Sequence, residues 1–304
     1  MARFSPDAAF AYQLGSRVAG TVPEAVALRL GATAARALAY RDKPRRMMVE
    51  RHLRRIHGPG LTGRALDRAV DHAFANYARY WVESFRLNQL TTADLESRMS
   101  WQGIGHLEDS VEAGKGTIIA LPHLGGWDLG GAWLCTVGYP LTVVVEPLDP
   151  PELFAWFTDF RRSLGMTVVP LGPDAGREVL RALRDNGVVC LLSDRDVGGG
   201  GIEVEFFGER TTLPAGAVTL SLRTGARILP TAIYYTRGRG QTGVVRPPLP
   251  VERTGHLRDD VRAGTQALAY EMEALIRKAP EQWHVMQPNW PSDHEFLEQH
   301  RSDG

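Results

Sequence analysis

Cysteine is scarce in this 304-residue chain: Cys135 and Cys190 are its only two, each inside an apolar stretch. They read as buried free thiols rather than a disulfide or a metal pair, which fits a reducing cytoplasm. Net charge is missing too, since Lys+Arg and Asp+Glu both total 35, and no recognition motif or aromatic-interleaved basic run points to nucleic acid. No apolar run is long enough to span a bilayer, because the longest charge-free stretch, Leu129 to Val145, is broken by Gly130, Gly131, Gly138 and Pro140. A signal-peptide core is absent, as Ala8 to Leu14 is short and Arg17 soon follows. Any membrane contact is therefore expected to be peripheral.

Several catalytic signatures are also lacking. Without G-x-S-x-G a serine hydrolase of the nucleophile-elbow type is disfavoured. The nine histidines, His284 and His294 among them, form no H-E-x-x-H, and C-x-x-C is absent, so no metal is predicted. The run Gly198 to Gly201 lacks the Lys-Ser/Thr of a phosphate loop and reads as a mobile loop. Gly238, Gly240 and Gly243 match G-x-G-x-x-G, but strand-like segments flank them on both sides, so a hairpin turn is expected instead of a dinucleotide site.

What is present is ordinary for a globular protein, with 43% hydrophobic and 23% charged residues. The neutral total hides an asymmetry: residues 1–100 carry seven more basic than acidic side chains. The densest basic stretch contains Arg41, Lys43, Arg45, Arg46, Arg51, Arg54 and Arg55, interrupted by apolar residues such as Met47, Met48 and Leu53. It suits an anionic membrane surface or, equally, a solvated helix with one face in the core.

Hydrophobic spacing places helices up to about Arg98, with Val22, Val26 and Leu30 at four-residue steps and a longer stripe at Val70, Phe74, Tyr77, Trp81 and Phe85, both expected in the core. Beyond that point short β-branched runs alternate with helical stretches. Strands are predicted at Thr117–Leu121, Leu141–Val145, Thr167–Leu171, Val188–Leu192, Ile228–Tyr235 and Gly243–Arg246. Helices are predicted at Leu129–Val137, Glu152–Leu164, Gly176–Asp185 and Ala215–Thr224, with a last amphipathic helix ending before Pro280. The fold class is thus α/β: an open, largely parallel central sheet surrounded by helices, with its functional groups where strands end. A single domain is expected, comprising a helical basic part over 1–100, a core over 101–291 and a tail over 292–304.

His123 lies at such a strand end. In TIIALPHLGGWD, Pro122 and Gly125-Gly126 break the regularity on either side of the histidine, so His123 falls in a loop and Asp128 in the first turn of the next helix. Folded back, that carboxylate would fix the imidazole tautomer and leave the other nitrogen to accept a hydroxyl proton. H-x4-D alone is a weak pattern and more often marks a loop histidine beside a capping carboxylate. Glu146 and the cluster Ser193-Asp194-Arg195-Asp196 also follow strands. Arg161 and Arg162 near a helix end say little by themselves.

Taken in order, GTIIALPHLGGWD, VEPLDPPELFAWFTDFRRSLGM, LLSDRDVGGGGIEVEFFGERTTLPAGAV and TGARILP resemble the motif blocks of the lipid A biosynthesis and phosphatidylinositol mannoside acyltransferase group, within the glycerophospholipid acyltransferase superfamily. The resemblance runs from about Gly103 to Trp290, and the ending PEQWHVMQPNW is similar to the phosphatidylinositol mannoside branch. It implies a peripheral enzyme on the inner face of the plasma membrane, one that transfers a long acyl chain, palmitoyl by expectation, from acyl-CoA to a glycolipid hydroxyl without metal or cofactor. It also implies His123 as general base and Asp128 as its partner. Glu146, Arg161, Asp194, Arg195 and Glu205 would bind substrate, Asp194 beside the histidine site, while Gly125, Gly126 and Trp127 would supply oxyanion donors and the entrance of an acyl pocket. The sequence departs from that pattern in two places: Asp194 stands where the branch tends to have glutamate, and Gly126 where asparagine is common. Three rival readings stay open, namely a lipid A-like acceptor, a thioesterase or lipid esterase, and a non-catalytic lipid carrier.

Overall fold

The computed structural model describes residues 21–147 and 151–301. Residues 1–20 of the expected helical front lie outside them. The front comprises α1 (Glu24–Arg41), α2 (Lys43–His57), α3 (Gly63–Arg86) and α4 (Thr92–Arg98). Asp42 accepts the Arg45 amide as the cap of α2, and Thr91 with Asp94 makes a reciprocal capping box at α4. The stripe of α1 differs from expectation. Val26 and Leu30 are exposed, at 44% and 62%, and the helix packs instead through Ala27, Ala39 and Glu24, whose carboxylate is paired with Arg98. On α3 the stripe divides: Val70 and Phe74 enter the core, whereas Tyr77 and Trp81 line a cavity.

The centre is a seven-stranded sheet ordered β1 (Met99–Gln102), β9 (Gln241–Val245), β8 (Arg227–Tyr235), β2 (Thr117–Leu121), β5 (Val188–Leu192), β3 (Leu141–Val145) and β4 (Thr167–Pro170). Every pairing is parallel except β8 with β9, which form the hairpin read from the Gly238–Gly243 spacing. Two alternating sets of side chains make two cores. Ile118, Ala120, Val189 and Ile228 face α8 (Ala175–Arg184), α9 (Gly216–Thr224) and α10 (Leu257–Ile276). Ile119, Leu121, Leu141, Val188 and Leu229 face the side covered by α5 (Gly105–Glu112) and α6 (Trp127–Thr136). Between α6 and α8 lies α7 (Pro151–Ser163).

A second, two-stranded sheet was not predicted: β6 (Ile202–Phe206) and β7 (Glu209–Leu213). Its turn has positive φ at both central residues, Phe207 (51°) and Gly208 (76°), the geometry whose twist suits a hairpin. The preceding Gly198–Gly201 run is organised by Asp196, whose carboxylate accepts the amides of Gly199 and Gly201 at 3.0 and 2.8 Å.

The segment 280–293 ties these parts together and leads into α11 (Pro291–Arg301). His52 of α2 bonds the Val285 carbonyl through Nδ1 (3.0 Å) and Asp293 through Nε2 (3.1 Å), and Arg51 and Arg55 also reach Asp293. Burial would push the Asp293 carboxyl up, but the bond and charge of His52 and the two arginines outweigh it and hold it far below the ordinary carboxylate range. Part of the basic stretch is therefore internal. Arg46 pairs with Glu50 and Asp67, Arg51 with Asp293, and Arg55 with Glu209 and Asp293, leaving Arg41, Lys43, Arg45 and Arg54 towards solvent.

Candidate active site

Five parallel strands direct their C-terminal ends to one edge of the sheet, and β2 and β5 bring His123 and Asp194 together there. β2 stops at Pro122, which lacks an amide hydrogen to continue the ladder. The chain turns through Leu124 and Gly125. Gly125 has φ +64°, and a Cβ there would lie 1.9 Å from the Ile233 carbonyl oxygen, so no other residue fits this close approach to β8.

The imidazole is held by the wrong aspartate for the sequence expectation. Asp194, not Asp128, meets His123 Nδ1, at 2.7 Å, and its second oxygen accepts the His123 backbone amide at 2.8 Å and the Trp283 indole N–H at 2.6 Å. Burial alone would raise the Asp194 carboxyl, but the charge and hydrogen bonds of His123 and the Trp283 bond outweigh it and hold it below its usual range. With Asp194 ionised, the shared hydrogen sits on His123 Nδ1, and Nε2 presents its lone pair to the cavity that the ring lines.

Asp128 points elsewhere because α6 begins at Trp127, and its first turn carries the carboxylate towards α3 and α7. There it accepts Tyr80 Oη–H at 2.8 Å and Arg161 Nε–H at 2.9 Å, with Arg161 Nη2 at 3.3 Å. Burial pushes the Tyr80 phenol well up, and the Asp128 charge adds to it, so the tyrosine stays a donor. Desolvation would lower Arg161, but Asp128 overrides it and raises it. Trp127 stacks on Tyr80 (4.2 Å between centroids, 25°) and meets the His123 ring edge-on at 5.6 Å.

The turn is clamped by residues that sequence reasoning did not single out as site residues. Gly125 N–H donates to the Gln282 carbonyl at 3.0 Å, the His284 amide donates to the His123 carbonyl at 2.7 Å, and Leu124 bridges Trp283 as in a strand pair. Asn289 Nδ2 adds a bond to the Asp194 carbonyl at 3.0 Å. His284 Nε2 lies 3.2 Å from the Gly125 carbonyl and must be the donor, so Nδ1 is an unprotonated acceptor, buried and without a partner among the described residues. Burial depresses this imidazole to about 3. The only sequence signal for the clamp was the motif PEQWHVMQPNW itself.

The expected oxyanion donors divide accordingly. The Gly125 amide is used by Gln282, whereas those of Gly126 and Trp127, at the start of α6, donate to no protein atom among the described residues. Gly126 is also explained: a Cβ there would lie 2.4 Å from Gln241 Oε1, so a carboxamide from β9 fills the space an asparagine side chain would enter. Glu146, Arg161 and Arg195 line the same cavity as His123 and Asp128. Glu205 does not: it is exposed on β6, and its backbone pairs with Gln266 of α10.

Below this polar mouth the cavity becomes apolar and runs between α6 and the sheet, past Leu121, Leu192, Val143 and Leu141. Cys190 is in its wall, its thiol pushed up to about 12 by burial and so protonated and unreactive. Both cysteines are free, as expected, though only partly buried. The arrangement offers a base at the top of a long greasy slot. Among the described residues no helix is long and apolar enough to cross a membrane.

A family model described as bacterial lipid A biosynthesis acyltransferase matches residues 5–292. A phosphatidylinositol mannoside acyltransferase of Mycolicibacterium smegmatis is 37% identical over 93% of this chain and 91% of its own. One from Mycobacterium tuberculosis is 37% identical over 93% and 89%. A lipid A biosynthesis acyltransferase of Haemophilus influenzae is 25% identical over 81% and 76%.

Proposed function

Since the chain belongs to the bacterial lipid A biosynthesis acyltransferase family, we propose that it transfers a fatty acyl chain of about palmitoyl length from acyl-CoA to a hydroxyl of a mannosylated phosphatidylinositol. The acceptor follows the names of the relatives that align over nearly all of it. One observation carries the reading: an imidazole hung by Nδ1 from a buried carboxylate, its other nitrogen open at the mouth of an apolar slot.

His123 Nε2 removes the hydroxyl proton as the oxygen attacks the thioester carbon. Asp194 holds the ring and stabilises the imidazolium, the role the sequence reading gave to Asp128. The amides of Gly126 and Trp127 face the developing oxyanion, aided by the positive end of α6. The C–S bond then breaks, the imidazolium protonates the departing thiolate, and the new ester keeps the acyl chain. A thioester is activated enough for this direct attack without metal, cofactor or covalent serine. Asp128, with Arg161 and Tyr80, shapes the wall beside the attacking hydroxyl. Arg195 and Glu146 contact the phosphate and hydroxyls of the acceptor.

A lipid acceptor implies a lipid surface. On α1 the exposed Val26, Leu30, Leu38 and Tyr40 share the helix with exposed Arg29, Arg36 and Arg41. This face, more than the internally paired α2, rests on the cytoplasmic leaflet of the plasma membrane and its anionic lipids.

The test is direct. Purified protein is mixed with palmitoyl-CoA and a mannosylated phosphatidylinositol, and the lipids are weighed by mass spectrometry. One added palmitoyl group is expected. Coenzyme A release at the same rate without acceptor would assign thioester hydrolysis instead, and lipid extraction without turnover would assign a carrier.

A further inference from the structure

The parallel register stacks the wall of the apolar slot in rungs. Leu141 marks the lowest rung, level with Val188 and through it with Thr117, neither of which lines the slot; Ile119 is level with Cys190 and Cys190 with Val143; Leu121 is level with Leu192. His123 stands one alternation above the last rung. From the level of Thr117 to that of His123 is six residues, on the order of 20 Å at about 3.3 Å per residue. An extended alkyl chain advances roughly 1.3 Å per carbon from C–C bonds of about 1.5 Å, so the slot takes about fifteen carbons.

One flexible side chain stands at the level of its lowest rung. Met166 immediately precedes β4, beside Leu141, and lines the cavity while being only 5% exposed. Opposite it, α6 carries Gly131 in mid-helix, where glycine costs about 1 kcal/mol relative to alanine. A Cβ on Gly131 would lie 2.7 Å from Met166 Cε and 3.4 Å from Leu141 Cδ1, so the missing side chain is what leaves Met166 its place.

We propose that Met166, lodged in the space left by Gly131, is the floor of this slot and sets the length of acyl chain the protein accepts. The inference rests on the acyl-transfer reading, because that reading supplies the chain. Methionine suits the position: it is unbranched, apolar and able to fill an irregular end. Shortening it extends the slot downwards, and replacing it with a larger ring raises the floor towards the Cys190 rung.

The test reads binding of saturated free fatty acids of graded length to the full chain, by quenching of tryptophans at the slot mouth, alongside transfer from the matching acyl-CoAs. Met166→Ala should move the optimum up by about two to four carbons, roughly the depth vacated by three heavy atoms at C–C bonds of about 1.5 Å. Met166→Trp should move it down. The opposed shifts keep the test alive if one variant fails to fold. Folded variants that keep the wild-type length profile in binding overturn the floor. Length-dependent binding without transfer would instead remove the acyl-transfer reading and leave the floor standing.

Discussion

At the scale of single residues, the decisive correction is that Asp194 takes the place foreseen for Asp128. The two carboxylates make separable predictions. His123→Ala should lower acyl transfer by about 10²–10⁴-fold, the range for a positioned general base, with the melting temperature little changed. Asp194→Asn keeps the shape but no longer stabilises an imidazolium, so its kcat should fall steeply and its pH profile should move. Asp128→Asn leaves Arg161 without its counter-ion. It should act mainly on KM and on stability, and steady-state kinetics showing equal kcat losses for the two would return Asp128 to the chemistry. His284 makes a prediction in acid. Its folded value near 3 lies below the usual histidine value of about 6.5, so the unfolded chain binds the extra proton between these limits. Stability is thus complete above pH about 6.5 and declines as pH falls, by up to about 1.4 kcal/mol per unit for this one group. Thermal melts from pH 7 to 4 should show this decline, and His284→Gln should flatten it. A variant with the wild-type slope would show that another group titrates.

Among the elements, the alternation of strand and helix was legible from Thr117 onwards because buried parallel strands leave short β-branched runs. Thr117–Leu121, Leu141–Val145 and Val188–Leu192 form with the expected ends. Besides α5 and α11, the latter where only a tail over 292–304 was expected, three strands were not foreseen. β1 is four residues, MSWQ, too short for a periodic signal. β6 and β7 alternate buried with polar positions, but they lie inside the block LLSDRDVGGGGIEVEFFGERTTLPAGAV, which was read only as part of the resemblance, and its Phe206 to Glu209 is a hairpin turn. A phenylalanine at positive φ costs on the order of 1–2 kcal/mol. Phe207 is retained by burial at 6% exposure, by its amide bond to Glu273 at 2.6 Å and by the Arg277 guanidinium 4.8 Å above its ring. Phe207→Ala should therefore destabilise by about 3 kcal/mol in urea unfolding, since the lost packing outweighs the local strain. A neutral result would mean that the hairpin is not anchored through this ring.

On the scale of the whole molecule, the basic front resolves into an inner and an outer part. Sequence could not separate them, because the acids that neutralise Arg51 and Arg55 lie more than 150 positions away, at Glu209 and Asp293. For the same reason local spacing pointed to His123 but paired it with Asp128: Asp194, 71 residues downstream, came beside the histidine only through the resemblance, and there as a substrate-binding residue. Replacing Arg29, Arg36 and Arg41 by serine, or Leu30 and Tyr40 by glutamate, should weaken sedimentation with anionic vesicles several-fold while leaving the fold intact. Neutral vesicles should bind poorly throughout. Undiminished sedimentation would shift the contact to another surface. The clamp formed by Gln282, Trp283, His284 and Asn289 has one more consequence, for the order in which the protein is made. A ribosome finishes every strand of the large sheet before it reaches these four residues. Until they emerge, the nascent polypeptide lacks the partners that fasten the His123 turn and Asp194, so this arrangement cannot form in an unfinished chain.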